Sequence, residues 1–203
     1  MTLLQLSFGS SFPIQILVIE PLFEEANRCR RLVVRIMRTL AENRIGSRLA
    51  LLPGQGESET GIAAVNLDDW RAAVAAQRER LVVSLRGGCL IDTAATPDAI
   101  WRFSPETGER VIRDLRRAEI AGQSGAGLAG NALSEPMIEA LAAARCAPHP
   151  EVRTIRLDTE AGEADVRFAA SPPWRRAEPG DDLHLATGLA EDIAVWARQC
   201  AGC

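Results

Sequence analysis

Residues 81–89 read Leu-Val-Val-Ser-Leu-Arg-Gly-Gly-Cys. Leu81–Leu85 reads as a strand, and Arg86-Gly87-Gly88 as a tight turn into the segment Cys89–Ala95. Upstream, Ile14–Ile19 (IQILVI) is a nearly continuous apolar run rich in β-branched residues, the pattern of a strand buried on both faces of a parallel sheet. Between them the period changes to helical. From Glu24 to Glu42, Ala26, Cys29, Val33, Ile36 and Leu40 share one face, while Arg28, Arg31, Arg35 and Arg38 line another. Glu24 and Glu25 suit the positive end of that helix dipole. Ser47–Leu52 (SRLALL) reads as a further strand, Pro53-Gly54-Gln55-Gly56 as a turn, and Leu67 to Arg80 as a helix.

Downstream the alternation continues. Ala99–Phe103 predicts a strand, Gly108 to Ile120 a charged amphipathic helix, and Ala121–Gly130 a glycine- and alanine-rich linker or mobile loop. Ser134 is placed to cap a helix over Glu135–Ala144. Strands follow at Val152–Leu157 and Ala164–Ala169, separated by a turn at Glu160–Gly162. A proline-rich bend at Ser171–Trp174 leads to a last helix from about Asp182 to Cys200, with Leu185, Leu189, Ile193 and Trp196 at helical spacing. The expectation is an α/β fold, a mostly parallel sheet of about six strands with helices on both faces. Residues 1–203 read as one domain, with a short helical and loop insertion around 106–145. Ligands of such sheets bind beyond the carboxyl ends of the strands.

Composition narrows the class. Of 203 residues 47% are apolar and 25% charged, enough for a full core without disulfides or metal. A net charge of −4 gives no reason to expect nucleic acid as a partner. Five scattered cysteines argue against a disulfide framework and for a reducing compartment. Met1–Phe8 lacks the marks of a signal peptide, and no apolar run approaches the roughly 20 residues needed to span a bilayer. A cytoplasmic location is expected.

Three of the loops, in order, look like landmarks of the α/β-hydrolase fold. Pro21-Leu22-Phe23 sits where that fold supplies a backbone N–H to the oxyanion hole. Leu52-Pro53-Gly54-Gln55-Gly56-Glu57-Ser58 resembles its LPGxGxS turn, and Ser84-Leu85-Arg86-Gly87-Gly88 takes the place of the G-x-S-x-G nucleophile elbow. Glu24, Glu25, Asn27, Arg30 and Arg31 resemble the EExNxxRR stretch of the exosortase A system-associated hydrolase 2 family. Leu85-Arg86-x-Gly88 is similar to that family's GLRLG elbow. Trp101 with Ser104-Pro105-x-x-Gly108-Glu109, Leu133-Ser134, and Pro172–Arg175 with Glu178-Pro179 also resemble its features. The resemblance runs from about Ile16 to Trp196. It implies an α/β-hydrolase-like protein tied to bacterial exopolysaccharide production and exosortase-dependent sorting. Three departures stand out: Ser84 replaces the first elbow glycine, Leu51 sits where aspartate is common, and the short chain leaves little room for the first antiparallel strands or a large cap.

Hydrolysis by such a fold needs a nucleophile, a base and a group orienting the base. Arg86 cannot be the nucleophile, because its guanidinium stays protonated. The remaining catalytic candidates are Ser84, at the strand end, Asp158 as acid and His184 as base; the expected base loop, 170–181, holds no histidine. Cys89 reads as core and His149 as a loop residue. Leu22, Phe23, Arg86 and Gly87 form the candidate ligand-binding set. Arg86 has two readings: a fork-shaped donor for a carboxylate or phosphate, or an internal ion pair with Glu24, Glu25 or Asp158. The sequence thus points to a pseudoenzyme that binds a small anionic ligand or a protein of envelope polysaccharide assembly. The alternative is a hydrolase of ester, thioester or amide bonds with a non-standard site. No cofactor or metal is called for, since Cys200-x-x-Cys203 has no second pair at ligand spacing.

Overall fold

The computed structural model describes residues 5–56, 58–120, 128, 130–176, 180 and 182–202. Met1–Leu4, Glu57, most of the Ala121–Gly130 stretch, Glu178-Pro179 and Cys203 lie outside the described residues. Among the described residues seven strands form one sheet: β1 (Ser7–Phe8), β2 (Ile14–Ile19), β3 (Ile45–Leu49), β4 (Leu81–Leu85), β5 (Ala99–Phe103), β6 (Val152–Leu157) and β7 (Val166–Phe168). Their order is β1-β3-β2-β4-β5-β6-β7, parallel throughout except for β1, which pairs antiparallel with β3. So the short chain still finds room for one antiparallel strand.

Among the described residues five helices cover the sheet: α1 (Glu24–Glu42), α2 (Leu67–Ala75), α3 (Gly108–Ile120), α4 (Glu135–Ala143) and α5 (Leu183–Ala201). The pleat sends alternate residues to opposite layers. Ile16, Val18, Leu81, Val83 and Leu85 pack with α1 and α5. Leu17, Ile19 and Val82 pack with α2, α3 and α4. On α1 the buried stripe is Ala26, Cys29, Leu32, Val33, Ile36, Met37 and Leu40, as its period requires.

Two boundaries differ from the sequence pattern for identifiable reasons. Arg44 adopts a left-handed φ of 59° directly after α1, so β3 starts at Ile45 and has ended by Ala50. Helix α2 stops at Ala75 because Glu79 is buried and paired with Arg48 at 3.3 Å, which pulls 77–80 away from the helix axis toward β4. The strand order reverses between β2 and β4. Loops that leave a sheet at such a point diverge and leave a crevice at its carboxyl edge.

Candidate functional site

The chain leaves β4 through an elbow. Arg86 has φ 52°, a left-handed conformation that costs a non-glycine residue about 1–3 kcal/mol. The sharp turn brings the following residues against the end of β2. A Cβ on Gly88 would lie 2.5 Å from the carbonyl oxygen of Glu20 and 2.9 Å from that of Ile19, so only glycine fits. Phe23, after β2, and Ser104, after β5, also have positive φ, at 57° and 50°. Three strained residues therefore meet at one edge of the sheet.

The Arg86 side chain is 3% exposed and fully engaged. Its Nε and Nη2 donate to Glu25 Oε2 and Oε1 at 3.1 and 3.0 Å, a two-pronged pair with the first turn of α1. Nη1 donates to Glu106 Oε1, with the Ser104 carbonyl at 3.4 Å and Glu160 Oε1 at 3.6 Å. The guanidinium lies 4.0 Å from the Trp174 ring centroid, a stacking contact. Burial pulls the Arg86 pKa down, but Glu25 and Glu106 outweigh it and the net shift is upward. Burial pushes the Glu106 carboxyl up more than Arg86 and Arg110 bring it down. Glu160 is held in turn by the Ser104 hydroxyl and by the backbone N–H of Leu157 at 2.9 Å.

Other sequence candidates fall elsewhere. Asp158 is exposed at the end of β6 and uses its backbone N–H on Phe168; it is Glu160 that turns inward. His184 is exposed on the first turn of α5, and His149 hydrogen-bonds around Pro97 and Glu151. Neither Asp158 nor His184 is among the described partners of Arg86. Ser84 is 0% exposed and faces the α2 layer, donating to Asp92 Oδ2 at 2.7 Å. Asp92, also 0% exposed, takes a two-pronged pair from Arg102 at 2.8 and 2.9 Å. Ser84 thus belongs to a buried ion-pair cluster with Asp92 and Arg102. On α1, Glu24, Asn27 and Arg31 are exposed, whereas Arg30 donates to Glu20 at 2.9 Å.

The oxyanion side is also occupied. The Phe23 backbone N–H donates to Gln55 Oε1 at 3.0 Å. Gln55 is the variable residue of the Pro53–Gly56 turn, and Glu106 and Glu160 lie one or two residues from positions the motifs single out. Nothing in the spacing marked these three; the signal was only a polar residue beyond the carboxyl end of a strand.

Above the elbow lies a cavity of about 470 Å³, within the range of small-molecule sites. Leu22, Phe23, Val111, Leu115 and Trp174 supply its apolar surface. Arg28, Arg110, Arg113, Arg117 and Arg175 are the basic members of its wall besides Arg86, against Glu24, Glu25, Glu106 and Asp114. Six arginines against four acids leave an excess of positive charge. Among the described residues no group of His, Cys, Asp and Glu is arranged to hold a metal. No described helix is long and apolar enough to cross a membrane.

No protein-family model and no curated protein sequence matches the chain. Solved structures do. The esterase Est1E from Butyrivibrio proteoclasticus, with ferulic acid bound, is 14% identical at TM-score 0.62, over 98% of this chain and 96% of that one. The NocB thioesterase domain, in covalent complex with a fluorophosphonate nocardicin G analogue, is 13% identical at TM-score 0.58, over 98% and 100%. The bottromycin epimerase BotH, in complex with bottromycin A2, is 12% identical at 0.52, over 97% and 93%. The chain has the α/β-hydrolase fold, and these likenesses speak to the fold alone.

Proposed function

We propose that this protein is a non-hydrolytic member of the α/β-hydrolase fold that binds a small amphipathic anion, a carboxylate or phosphate on an apolar body, in the cavity over the elbow. One observation carries the reading. The residue at the nucleophile position is an arginine whose every prong is consumed by Glu25, Glu106, Glu160 and Trp174. Catalysis has lost its nucleophile, and Gln55 occupies an N–H that would stabilise an oxyanion. What remains is an apolar cavity floored by a neutralised arginine and rimmed by the exposed Arg113, Arg117 and Arg175 and the half-buried Arg28, which donates to the Trp174 carbonyl at 3.1 Å. The anion meets Arg28, Arg113, Arg117 and Arg175 rather than Arg86. The fold accommodates this, since function resides in the site and not in the scaffold. The resemblance of the α1 and elbow motifs supports a place in bacterial exopolysaccharide assembly, with a cytoplasmic location and a protein of that system as partner.

Calorimetric titration with octyl phosphate and 1-octanol tests the reading. The phosphate is expected to bind at least about tenfold tighter than the alcohol, a charge-assisted contact of about 1.5 kcal/mol. Arg28→Ala or Arg113→Ala is expected to weaken it about two- to fivefold, the range of partly exposed ion pairs. Equal binding of the two ligands, or no binding, refutes the anion site. A fluorophosphonate probe is expected to leave the protein unmodified. Stoichiometric covalent capture, lost on Ser84→Ala or Cys89→Ala, would make the chain a hydrolase of non-standard mechanism instead.

A further inference from the structure

The charges of the cavity over the elbow fall into two groups. At the floor they cancel: Arg86 is taken up by Glu25 and Glu106, and Arg110 pairs with the second oxygen of Glu106 at 3.2 Å. Glu160, 3.6 Å from Arg86, completes this cage and is not on the cavity wall. The other charged members of the wall are Arg28, Arg113, Arg117 and Arg175, against Glu24 and Asp114. Asp114 serves Arg113 at 3.9 Å and Arg117 at 3.8 Å, so one carboxylate is spread thinly over two guanidinium groups. Arg28 gives its Nη1 to the Trp174 carbonyl at 3.1 Å, an uncharged partner that fixes the side chain without neutralising it. Among the described residues neither Arg28 nor Arg175 has an ion pair. Four cations against two acids leave the wall two positive charges in excess. Two segments supply them. Arg113 and Arg117 lie one turn apart on α3, while Arg28 on α1 is tied by its hydrogen bond to the turn Pro173–Arg175 that carries Arg175.

We propose that the ligand of this cavity is a phosphate monoester on a single apolar chain, bound as its dianion. The proposal rests on the ligand-binding reading above and narrows its ligand class. Charge number favours the monoester. With a second pKa of about 6 it carries about 1.5 to 2 negative charges at neutral pH, which matches the excess of two. A carboxylate or a sulfate ester carries one and leaves a cation of the wall uncompensated. Shape favours it too. Its three terminal oxygens fan outward, so one head can accept from α3 and from the α1 side together, and guanidinium forks suit phosphate oxygens. A carboxylate presents two oxygens in one plane and suits a single fork. The volume of about 470 Å³ belongs to small-molecule sites and gives room for one short chain rather than the two long chains of a membrane lipid. Among the described residues no serine, threonine, cysteine or histidine lines the cavity, which fits an ester that is held and not cleaved.

Calorimetric titration of the full chain at about pH 8 compares octyl phosphate with octyl sulfate, which keeps the chain and the tetrahedral head and carries one charge fewer. Octyl phosphate is expected to bind at least about fivefold tighter, the upper end of what one exposed ion pair supplies. Equal binding of the two, both tighter than 1-octanol, overturns the dianion and leaves the anion-binding reading standing. Binding of neither, or binding no tighter than 1-octanol, overturns that reading and the proposal with it. Arg117 and Arg175 are exposed, so they can be changed together without disturbing the core. Arg117→Gln with Arg175→Gln removes the excess of two charges and is expected to abolish the preference for phosphate over sulfate. Arg117→Lys with Arg175→Lys keeps the charge and is expected to retain most of it. Full preference in the glutamine pair overturns the proposal. Dioctanoyl phosphatidic acid, the same head on two chains, is expected to bind more weakly than octyl phosphate. Tighter binding assigns the head to a membrane lipid and overturns the single chain. Inorganic phosphate at equal concentration is expected not to displace octyl phosphate, and displacement overturns the need for an apolar chain.

Discussion

Replacing Arg86 with alanine strips the guanidinium that, among the described residues, Glu25, Glu106 and Glu160 share. Its side chain is 3% exposed, so solvent does not enter to compensate as it would at a surface pair. Removing one partner of a buried pair costs about 3–5 kcal/mol, mainly because the remaining charges stay buried and unpaired. One process limits the loss. Burial already raises the Glu106 carboxyl, and without Arg86 it rises further and takes up a proton. The sign follows from linkage: a carboxyl whose folded pKa lies above its unfolded value costs stability as pH rises through that interval. The deficit of Arg86→Ala is therefore expected to be near 3–5 kcal/mol at pH 7.5 and clearly smaller at pH 5. Urea unfolding reads this directly. With a slope of about 2–3 kcal/mol per molar for a chain of this size, the midpoint falls by about 1.5 M at the higher pH. Arg86→Gly is expected to be milder than alanine by about 1 kcal/mol, since glycine relieves the φ of 52°. Arg86→Met with Glu106→Gln is expected to recover part of the loss. A deficit under about 1 kcal/mol, or one independent of pH, refutes the view that the arginine is held as a structural ion pair.

Three further outcomes follow from the same geometry. Burial raises the Glu20 carboxyl from its ordinary 4.5 to about 7, against the pull of Arg30, so the folded protein binds a proton that the unfolded chain releases. Stability is expected to fall by about 2–3 kcal/mol as pH rises from about 4.5 to 7, and Glu20→Gln to flatten that slope in chemical denaturation, at about 1.4 kcal/mol per pKa unit. Gln55→Ala uncaps the Phe23 N–H, so it is expected to cost about 1 kcal/mol of stability yet tighten octyl phosphate binding; weakened binding would place the anion elsewhere. Asp192 accepts from the buried Trp101 Nε1 at 2.7 Å and from Arg153 at 2.7 and 2.9 Å. Asp192→Ala orphans that indole, so it is expected to cost about 2 kcal/mol and lower Tm by about 4–8 °C, readable by scanning calorimetry.

The parallel strands were legible because they are apolar on both faces: Ile14–Ile19, Leu81–Leu85 and Ala99–Phe103 fall where their composition places them. The two-residue β1 was not, since Ser7–Phe8 is too short to show alternation and exists only by pairing with β3. At the site, the turn at Arg86-Gly87-Gly88 could be read from the steric demand of the bend. Its electrostatics could not. Glu25 was named as a possible partner, but Glu106 and Glu160 come from loops 20 or more residues downstream, and only the register of β4, β5 and β6 brings their ends together. Asp158 was the more obvious acid after β6. The chain turns it outward, because its backbone N–H is committed to the Phe168 carbonyl while Glu160 closes the turn onto the Leu157 N–H.

A strained elbow has an evident use when it lifts a nucleophile into a substrate, and its retention here needs a different reason. The reason is mechanical. From its left-handed position Arg86 reaches α1 through Glu25, the loop before α3 through Glu106, the loop after β6 through Glu160, and the bend before α5 through Trp174. An extended or helical φ would send the same side chain into one layer and lose the others. The conformation that exposed a serine oxygen in a hydrolase lets one guanidinium tie four segments of the carboxyl edge together. Strain of about 1–3 kcal/mol is then held in place by an ion-pair cluster whose disruption costs about 3–5 kcal/mol. A floor fixed in this way is a poor reaction centre and a good wall. In the ligand-binding reading proposed above, recognition passes to the rim, where Arg113 and Arg117 are exposed and meet Asp114 only at 3.9 and 3.8 Å.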